Sequence, residues 1–502
     1  MSQAGALCSA SIDSSATREG VDVWTLLQQG FGFLFATTLV WGVLAFPVYK
    51  GMLGGYAPVV AGAVAAAWLM RPGVANRLAA CVDRPSERAF VVLVVATAVL
   101  LRVLAVVFAA DEPVSDHALY DGFAHRMLRG DGYGPTAYYP PGVSFWLFAV
   151  YAVFGRSLTA ALLANAAVGG LLAALTWAVG RHVVSRPAAR LAALAVAGFP
   201  SLVLYSTTVG YDAQLGCALL LALWLFVRRA PGGQRGWYVA GIGVVLGVAS
   251  FLKPIGLLLP IVLGVAYRRR GASWLRSGHN TVLLTVGMVA ALSPWMVRNW
   301  FVFRAFVPVT TSGGAALWVT NHPGADALTT AFPELPPGTT ELERNRILGA
   351  AAWGHLREHP DHLLRLAPSK AAYQWGTSST VMAFVSADRW DPRAEAAAKA
   401  VINTAWASLC VFIVVALVRD GLCRRAVLFW PVMALVAYVW AIHMFYEAQS
   451  RYHLPFLPLL CIVAAVGLTH RTRRTPADDG GSVISRSSGT LDSGVEALGA
   501  QA

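Results

Sequence analysis

The chain has 502 residues, 57% hydrophobic and only 13% charged, whereas a typical soluble protein carries about 25% charged residues. Lys and Arg number 39 against 26 Asp and Glu, a formal charge of +13. This balance excludes a soluble enzyme, a disordered protein and a disulfide scaffold. The recurring long apolar runs mark an all-α polytopic membrane protein, in which a basic excess sets topology more often than it binds nucleic acid.

A crossing needs about 20 mostly apolar residues. Residues 1–23 read as a cytoplasmic N-terminus without the pattern of a cleaved signal. Candidate spans at 24–48 and 53–70 form an N-terminal hairpin, which with a basic cytoplasmic loop makes a unit over 24–87. Spans at 89–110, 157–180, 190–208, 213–227, 237–252, 254–267 and 280–297 make a core over 88–297. The short pair 237–252 and 254–267 is expected to be two helices meeting at Lys253-Pro254, because proline breaks a helix and restricts the residue before it. Spans at 399–418, 426–446 and 452–468 close the bundle within a C-terminal unit over 397–470. The tail 471–502 is rich in Gly, Ser and Asp and is expected to be disordered.

The apolar stretch 143–154 is too short to cross comfortably, and the arginines decide its placement. If it does not cross, six clusters fall on one side: Arg71/Arg77/Arg84/Arg88, Arg181/Arg186/Arg190, Arg228/Arg229/Arg235, Arg268/Arg269/Arg270/Arg276, Arg419/Arg424/Arg425 and Arg471/Arg473/Arg474. These stretches hold 20 arginines and three acids, Asp83, Glu87 and Asp420. The positive-inside rule then gives twelve spans, both termini cytoplasmic, and 143–154 at or re-entering the outer interface. Two long segments remain outside, a loop over 111–156 and a small helical domain over 298–396. None of the six cysteines lies in either, so no exported disulfide framework is expected. The Arg-rich, Lys-poor composition suggests a GC-rich bacterium, with the outer side the periplasm or cell exterior.

In the first outer loop, Ser115 or Asp116 can cap a helix running to about Arg129, with Asp116, Tyr120 and Ala124 on one face. It stops at Gly130-Asp131-Gly132, and the rigid turn Tyr138-Tyr139-Pro140-Pro141-Gly142 follows. Further charges stand at or near span ends: Arg102, Asp212, Lys253, Glu447 and Arg451. A charge at membrane depth costs at least about 2.5 kcal/mol, so each is a functional candidate, with snorkelling to the headgroups as the plain alternative. Asp116 and Asp212 are carboxylates suited to a general base or a metal, and Lys253 and Arg451 are cations suited to a lipid phosphate. Group transfer from a lipid phosphate needs both kinds.

The order of several stretches resembles a known family. They are Ser115-Asp116 with Tyr120 and Ala124, Gly130-Asp131-Gly132-Tyr133, Tyr139-Pro140-Pro141-Gly142 and Lys253-Pro254. Further on come Pro294-Trp295 with Arg298-Asn299-Trp300, Asn321-His322-Pro323, and Glu447 with Arg451-Tyr452. From about Arg88 to Leu468 the chain resembles the membrane-embedded GT-C glycosyltransferases, on the branch of the dolichyl-phosphate-mannose protein mannosyltransferases (glycosyltransferase family 39) and the lipid A aminoarabinose transferase. The N-terminal hairpin lies outside the resemblance.

The resemblance implies a GT-C-type bundle of about twelve helices and an inverting transfer of a sugar from a polyprenyl-phosphate donor on the outer face. The catalytic aspartate maps onto Asp116 and a second acid onto Asp212. The donor phosphate maps onto Lys253 and Arg451, with Tyr120, Tyr139, Glu447, Arg102 and Arg298 in support. Asp111-Glu112 is a second candidate for the base, and the spacing to Tyr120 and Ala124 favours Asp116. No cofactor is required; a divalent ion (Mg, Mn or Zn) would take Asp116 and Asp212 as ligands. The expected partners are the polyprenyl-phosphate sugar, a lipid, glycan or protein acceptor and the bilayer, with no nucleic acid. A flippase of the same lipid and an outer-face polysaccharide polymerase or ligase are the alternatives. The sequence shows no convincing internal repeat of the kind many transporters carry.

Overall fold

The computed structural model describes residues 23–51, 53–326, 331–385, 390–419 and 430–469. The expected disordered tail, Cys8, Cys423 and the basic clusters at 424–425 and 471–474 lie outside the described residues. Every described element is helical. In chain order they are α1 (Val23–Tyr49), α2 (Tyr56–Leu69), α3 (Pro72–Asp83), α4 (Glu87–Ala109), α5 (Asp116–Leu128), α6 (Gly142–Phe154) and α7 (Leu158–Val183). Next come α8 (Arg186–Gly198), α9 (Pro200–Leu204), α10 (Asp212–Val227), α11 (Gly236–Leu252), α12 (Leu259–Arg269) and α13 (Trp274–Phe303). Then follow α14 (Gly313–Asn321), α15 (Glu341–Glu358), α16 (His362–Trp375), α17 (Pro392–Arg419), α18 (Trp430–Phe445) and α19 (Leu457–Thr469).

All twelve expected spans are helical over their described residues. Among the described residues six helices are long and apolar enough to cross alone, or up to eight spans if each of two bent pairs counts as one. The remaining candidates are shorter, such as α10 with 16 residues and α11 with 17. The bends fall where proline removes a donor: α8 and α9 meet at 47° before Pro200, and α2 and α3 at 75° before Pro72. The segment expected to be a basic loop after α2 is thus largely a helix. Serines start the long helices, Ser86, Ser157 and Ser273 accepting from the amides of Ala89, Ala160 and Arg276.

The main core is a large apolar cluster shared by the bundle, with two smaller clusters around Tyr133 and Trp295 and around Leu292 and Val309. Where helices touch most closely, small residues permit it. A Cβ at Gly243 would strike the Leu284 carbonyl, and one at Gly247 would lie 2.5 Å from Ala291 Cβ, so α11 and α13 meet backbone to backbone. The N-terminal hairpin is part of this packing. The Trp41 indole donates to the Pro368 carbonyl at 2.9 Å, and Ser408 of α17 donates to the Gly62 carbonyl at 3.0 Å.

The described basic clusters gather at one end of the bundle. Arg186 pairs with Asp83 at 3.0 Å, Arg181 with Glu87 at 3.6 Å, and Arg190 donates to the Val82 carbonyl at 2.7 Å. Arg270 and Arg276 reach the carbonyls of Arg229 and Gly232. Helices α10 and α11 each have one end among these arginines; their other ends are Asp212 and Lys253. A 16-residue helix is roughly 24 Å long, which separates the two acid and base residues from the arginine end.

Candidate active site

Asp116 is the first residue of α5. Before it, Ser115 has φ 55° and ψ −133°, a conformation that glycine favours, and its side chain makes no cap hydrogen bond, contrary to the expected capping role. The turn puts the Asp116 carboxylate at the helix N-terminus, where the helix dipole favours negative charge. α5 is anchored from behind. Asp121 accepts from the Tyr151 hydroxyl at 2.6 Å and from Arg156 at 2.7 Å, which ties α5 to α6. The stretch 143–154 is thus a short helix packed on the one that carries Asp116.

Three groups surround the Asp116 carboxylate. Arg451 Nη2 lies 3.6 Å from its Oδ2, a charge contact longer than a hydrogen bond. The Tyr139 hydroxyl faces it, and burial first, then the carboxylate, pushes that phenol up to about 12. Tyr120, one turn along α5, is buried and meets the Tyr139 ring edge-on with centroids 5.8 Å apart. Neighbouring His117 is buried against Phe384, with ring centroids 4.8 Å apart. Burial first and Arg451 second pull its pKa down to about 4, against the opposing pull of Asp116, so the ring is neutral at pH 7.

Asp212 is buried, and its Oδ1 has no hydrogen-bond partner. Gly210 explains how it meets α5: a Cβ there would lie 3.1 Å from Asp212 Oδ2 and 3.3 Å from His117 Nε2. Lys253 occupies the break between α11 and the turn at Pro254, in extended conformation. Its Nζ donates to the Tyr211 hydroxyl at 3.0 Å and sits 3.4 Å from the centroid of the Tyr452 ring. Tyr452 is held in turn, donating to Glu447 Oε2 at 2.8 Å and stacking with His443 at 4.8 Å. Arg451, on the turn Ser450–Phe456, lies against the rings of Phe384 and Tyr452, and its Nε lacks a partner. The structure therefore brings Asp116, Asp212, Lys253, Arg451, Tyr139, Tyr120 and Glu447 into one region.

Two expected supporting residues serve elsewhere. Arg102 is fully buried and donates to the carbonyls of Ala98 at 3.0 Å, Ala197 at 2.9 Å and Val196 at 3.2 Å. Pro200 cannot supply the amide that the Val196 carbonyl would otherwise receive, so Arg102 serves the broken end of α8. It lines a small cavity behind Asp212. Arg298 donates to the carbonyls of Thr136, at 3.0 Å, and Gly134, and so shapes the loop before Tyr139. Asp111 lies beside Glu112 and His117 at the edge of the site, and its Oδ1 accepts from the Glu112 amide at 2.8 Å.

Two residues not singled out from the sequence matter to this frame. Glu341, in the first turn of α15, accepts from Thr136 Oγ1 at 2.6 Å, the Ala137 amide at 2.9 Å and Thr311 Oγ1. It fastens the 111–156 loop to the helical domain. Lys370, fully buried on α16, donates to the Met444 carbonyl at 2.6 Å and to Thr320 Oγ1 at 3.2 Å, satisfying the C-terminal end of α18 just before Glu447. Rarity was its only sequence signal, as one of four lysines. Among the described residues no group of three or more His, Cys, Asp and Glu side chains could hold a metal ion. Asp116 and Asp212 face cations instead, which does not fit the ion that the two were expected to bind if one is used.

The fold and this region define a helical membrane protein with a carboxylate-and-cation site at one end of its bundle. Residues 139–297 match the family described as dolichyl-phosphate-mannose-protein mannosyltransferase, in agreement with the resemblance to glycosyltransferases over that stretch. No curated protein matches the chain. Among solved structures it is similar to the archaeal oligosaccharyltransferase AglB from Archaeoglobus fulgidus, in complex with an inhibitory peptide and a dolichol-phosphate. That alignment has 14% identity and a TM-score of 0.44, covering 75% of this chain and 49% of that one. It is also similar to ArnT from Cupriavidus metallidurans, solved in the apo state, with 16% identity and a TM-score of 0.37 over 77% of this chain and 78% of that one. ArnT bound to undecaprenyl phosphate gives 17% identity and a TM-score of 0.36, covering 77% and 79%. The chain spans about half the length of the oligosaccharyltransferase it aligns with.

Proposed function

We propose that this chain is an integral membrane glycosyltransferase. It moves a sugar from a polyprenyl-phosphate donor to an acceptor hydroxyl at the outer face of a bacterial cytoplasmic membrane, with inversion. The observation that carries this reading is the convergence of Asp116 and Asp212 with Lys253 and Arg451, where Asp212 Oδ1 and Arg451 Nε are both buried and unpartnered. Unpaired buried groups of opposite sign are costly, and a ligand with both donor and acceptor atoms satisfies them.

In this mechanism Asp116 accepts the proton of the acceptor hydroxyl. The hydroxyl oxygen forms a bond to the anomeric carbon as the bond from that carbon to the phosphate oxygen breaks, on the opposite face. The polyprenyl phosphate departs with the bonding pair, and Lys253 and Arg451 stabilise its growing charge without transferring a proton. Asp212 orients Lys253 and the acceptor. Tyr139 holds the Asp116 carboxylate in place. The side assignment rests on the arginine clusters, which share the end of the bundle away from this site.

The test is transfer of labelled sugar from a polyprenyl-monophosphate donor, using purified protein in detergent and membrane extract as acceptor source. Label in an acceptor, lost with Asp116→Asn, supports the transferase. Full activity in that variant sinks the assignment of Asp116. Movement of donor across vesicles without any transfer points to a flippase.

A further inference from the structure

A third cation approaches the Asp116 region from the helical domain. Arg344 lies one turn after Glu341 on α15. Its guanidinium carbon is 5.8 Å from the centroid of Tyr138 and 4.9 Å from that of Phe332. Arg129, Arg156, Arg365 and Arg298 are engaged by Asp131, Asp121, Asp361 and loop carbonyls. Of the outer arginines without such a partner among the described residues, Arg344 is the one whose charge bears on both Tyr138 and Tyr139 beside Asp116. Among the described residues the Arg344 guanidinium forms no ion pair and donates no hydrogen bond, so its donor edges are free. Two rings lie within cation–π distance of it, and a guanidinium that packs on aromatic rings keeps its N–H edges for an oxyanion, which it can bind in bidentate geometry.

The position of this group relative to the reacting centre is defined. Tyr138, against which Arg344 rests, adjoins Tyr139, and Tyr139 bonds Asp116. The charges of Arg344, Asp116, Glu341 and Glu447 all bear on the Tyr138 hydroxyl. Glu341 locks the same loop from the same helix, which makes Arg344 part of the frame around the carboxylate rather than a solvated charge. The donor phosphate already has Lys253 and Arg451, deep at the helix ends. A free guanidinium carried by the outer domain is placed for the other substrate.

We propose that Arg344, held between Tyr138 and Phe332, is an acceptor-binding residue and that the acceptor carries an oxyanion, a phosphate or a carboxylate, near the hydroxyl that receives the sugar. This rests on the transferase reading, so the test separates the two. Full-length protein in detergent is titrated calorimetrically, without donor, with methyl glucoside, methyl glucoside 6-phosphate and methyl glucuronide. One charge-assisted pair predicts at least about tenfold tighter binding of a charged glycoside than of the neutral one. Preference for the phosphate or for the glucuronide identifies which oxyanion is used. In Arg344→Gln the preference falls to within about twofold, while Arg344→Lys retains part of it. Phe332→Ala, at an exposed ring outside the packed core, weakens it several-fold and serves if Arg344→Gln does not fold. Equal binding of all three glycosides by the wild type, or a preference that survives Arg344→Gln and Phe332→Ala, overturns the proposal. A preserved preference without any sugar transfer to any acceptor sinks the transferase reading and leaves the anion site standing.

Discussion

Arg451 Nη2 stands 3.6 Å from Asp116 Oδ2, and it belongs to a turn near the end of the chain while Asp116 opens a helix in its first quarter. The proposed base and a proposed phosphate ligand are thereby electrostatically joined, yet only loosely bonded. Their removal should have different signatures. Asp116→Asn keeps the shape and removes the basic oxygen, so kcat falls by about 10³-fold while donor affinity stays within a few-fold. Arg451→Gln weakens donor binding, raising KM or Kd for a polyprenyl phosphate. Separate measurement of donor binding and turnover decides it; a matching loss of donor affinity in both variants contradicts the division of roles.

Asp212 is buried and Lys253 half-buried near it, and each feels the other's charge, with Arg451 acting on both. Removing the Lys253 charge leaves the buried Asp212 carboxylate with one nearby cation fewer, Arg451 remaining, which weakens the compensation of a buried charge. Lys253→Met should therefore lower the thermal midpoint in detergent markedly. Adding Asp212→Asn should restore much of that stability, while transfer activity stays low in the double variant. A double variant less stable than Lys253→Met alone is the contrary result.

The sequence made the helices and their ends legible because apolar runs and arginine clusters repeat over many residues, and each span carries its own signal. The break at Lys253-Pro254 was legible for the local reason that proline lacks an amide. The helix opening at Asp116 with Tyr120 on its face was equally readable. What was hidden depends on tertiary partners. Arg102 looks identical in sequence whether it binds a phosphate or the broken end of α8, and only the nearness of Val196 and Ala197 decides. Glu341 resembles any first-turn acid of an exposed helix until Thr136 and Ala137 arrive from 204 or more residues away. The helical nature of 72–83 was masked by Arg77 within it and Arg71 and Arg84 at its ends, which read as loop.

Arg102 consequently predicts a stability phenotype. A Cβ at Gly169 would collide with the Arg102 side chain, which confirms how tightly the guanidinium is seated. Arg102→Met leaves carbonyls at the break of α8 unsatisfied, at about 1–3 kcal/mol each. Both Arg102→Met and Gly169→Ala should lower the thermal midpoint, and the fraction that folds should bind donor with wild-type affinity. A variant that folds normally and loses donor affinity would place Arg102 at the phosphate after all.

His117 gives the site a pH dependence whose sign follows from its depressed pKa. The ordinary value of 6.5 applies to the unfolded chain, and the folded value is about 4, with burial the main cause. Between these limits the unfolded state binds a proton that the folded state does not, so stability rises with pH across the window. The contribution is complete above about pH 6.5 and is lost as pH falls toward 4. Asp116 and Arg451 act on the same ring in opposite senses. His117→Gln should flatten the dependence of the thermal midpoint between pH 6.5 and pH 5, measured in detergent at constant ionic strength. Asp116→Asn removes the acid that favours the charged ring and should steepen it; a profile unchanged in both variants excludes His117 as its source.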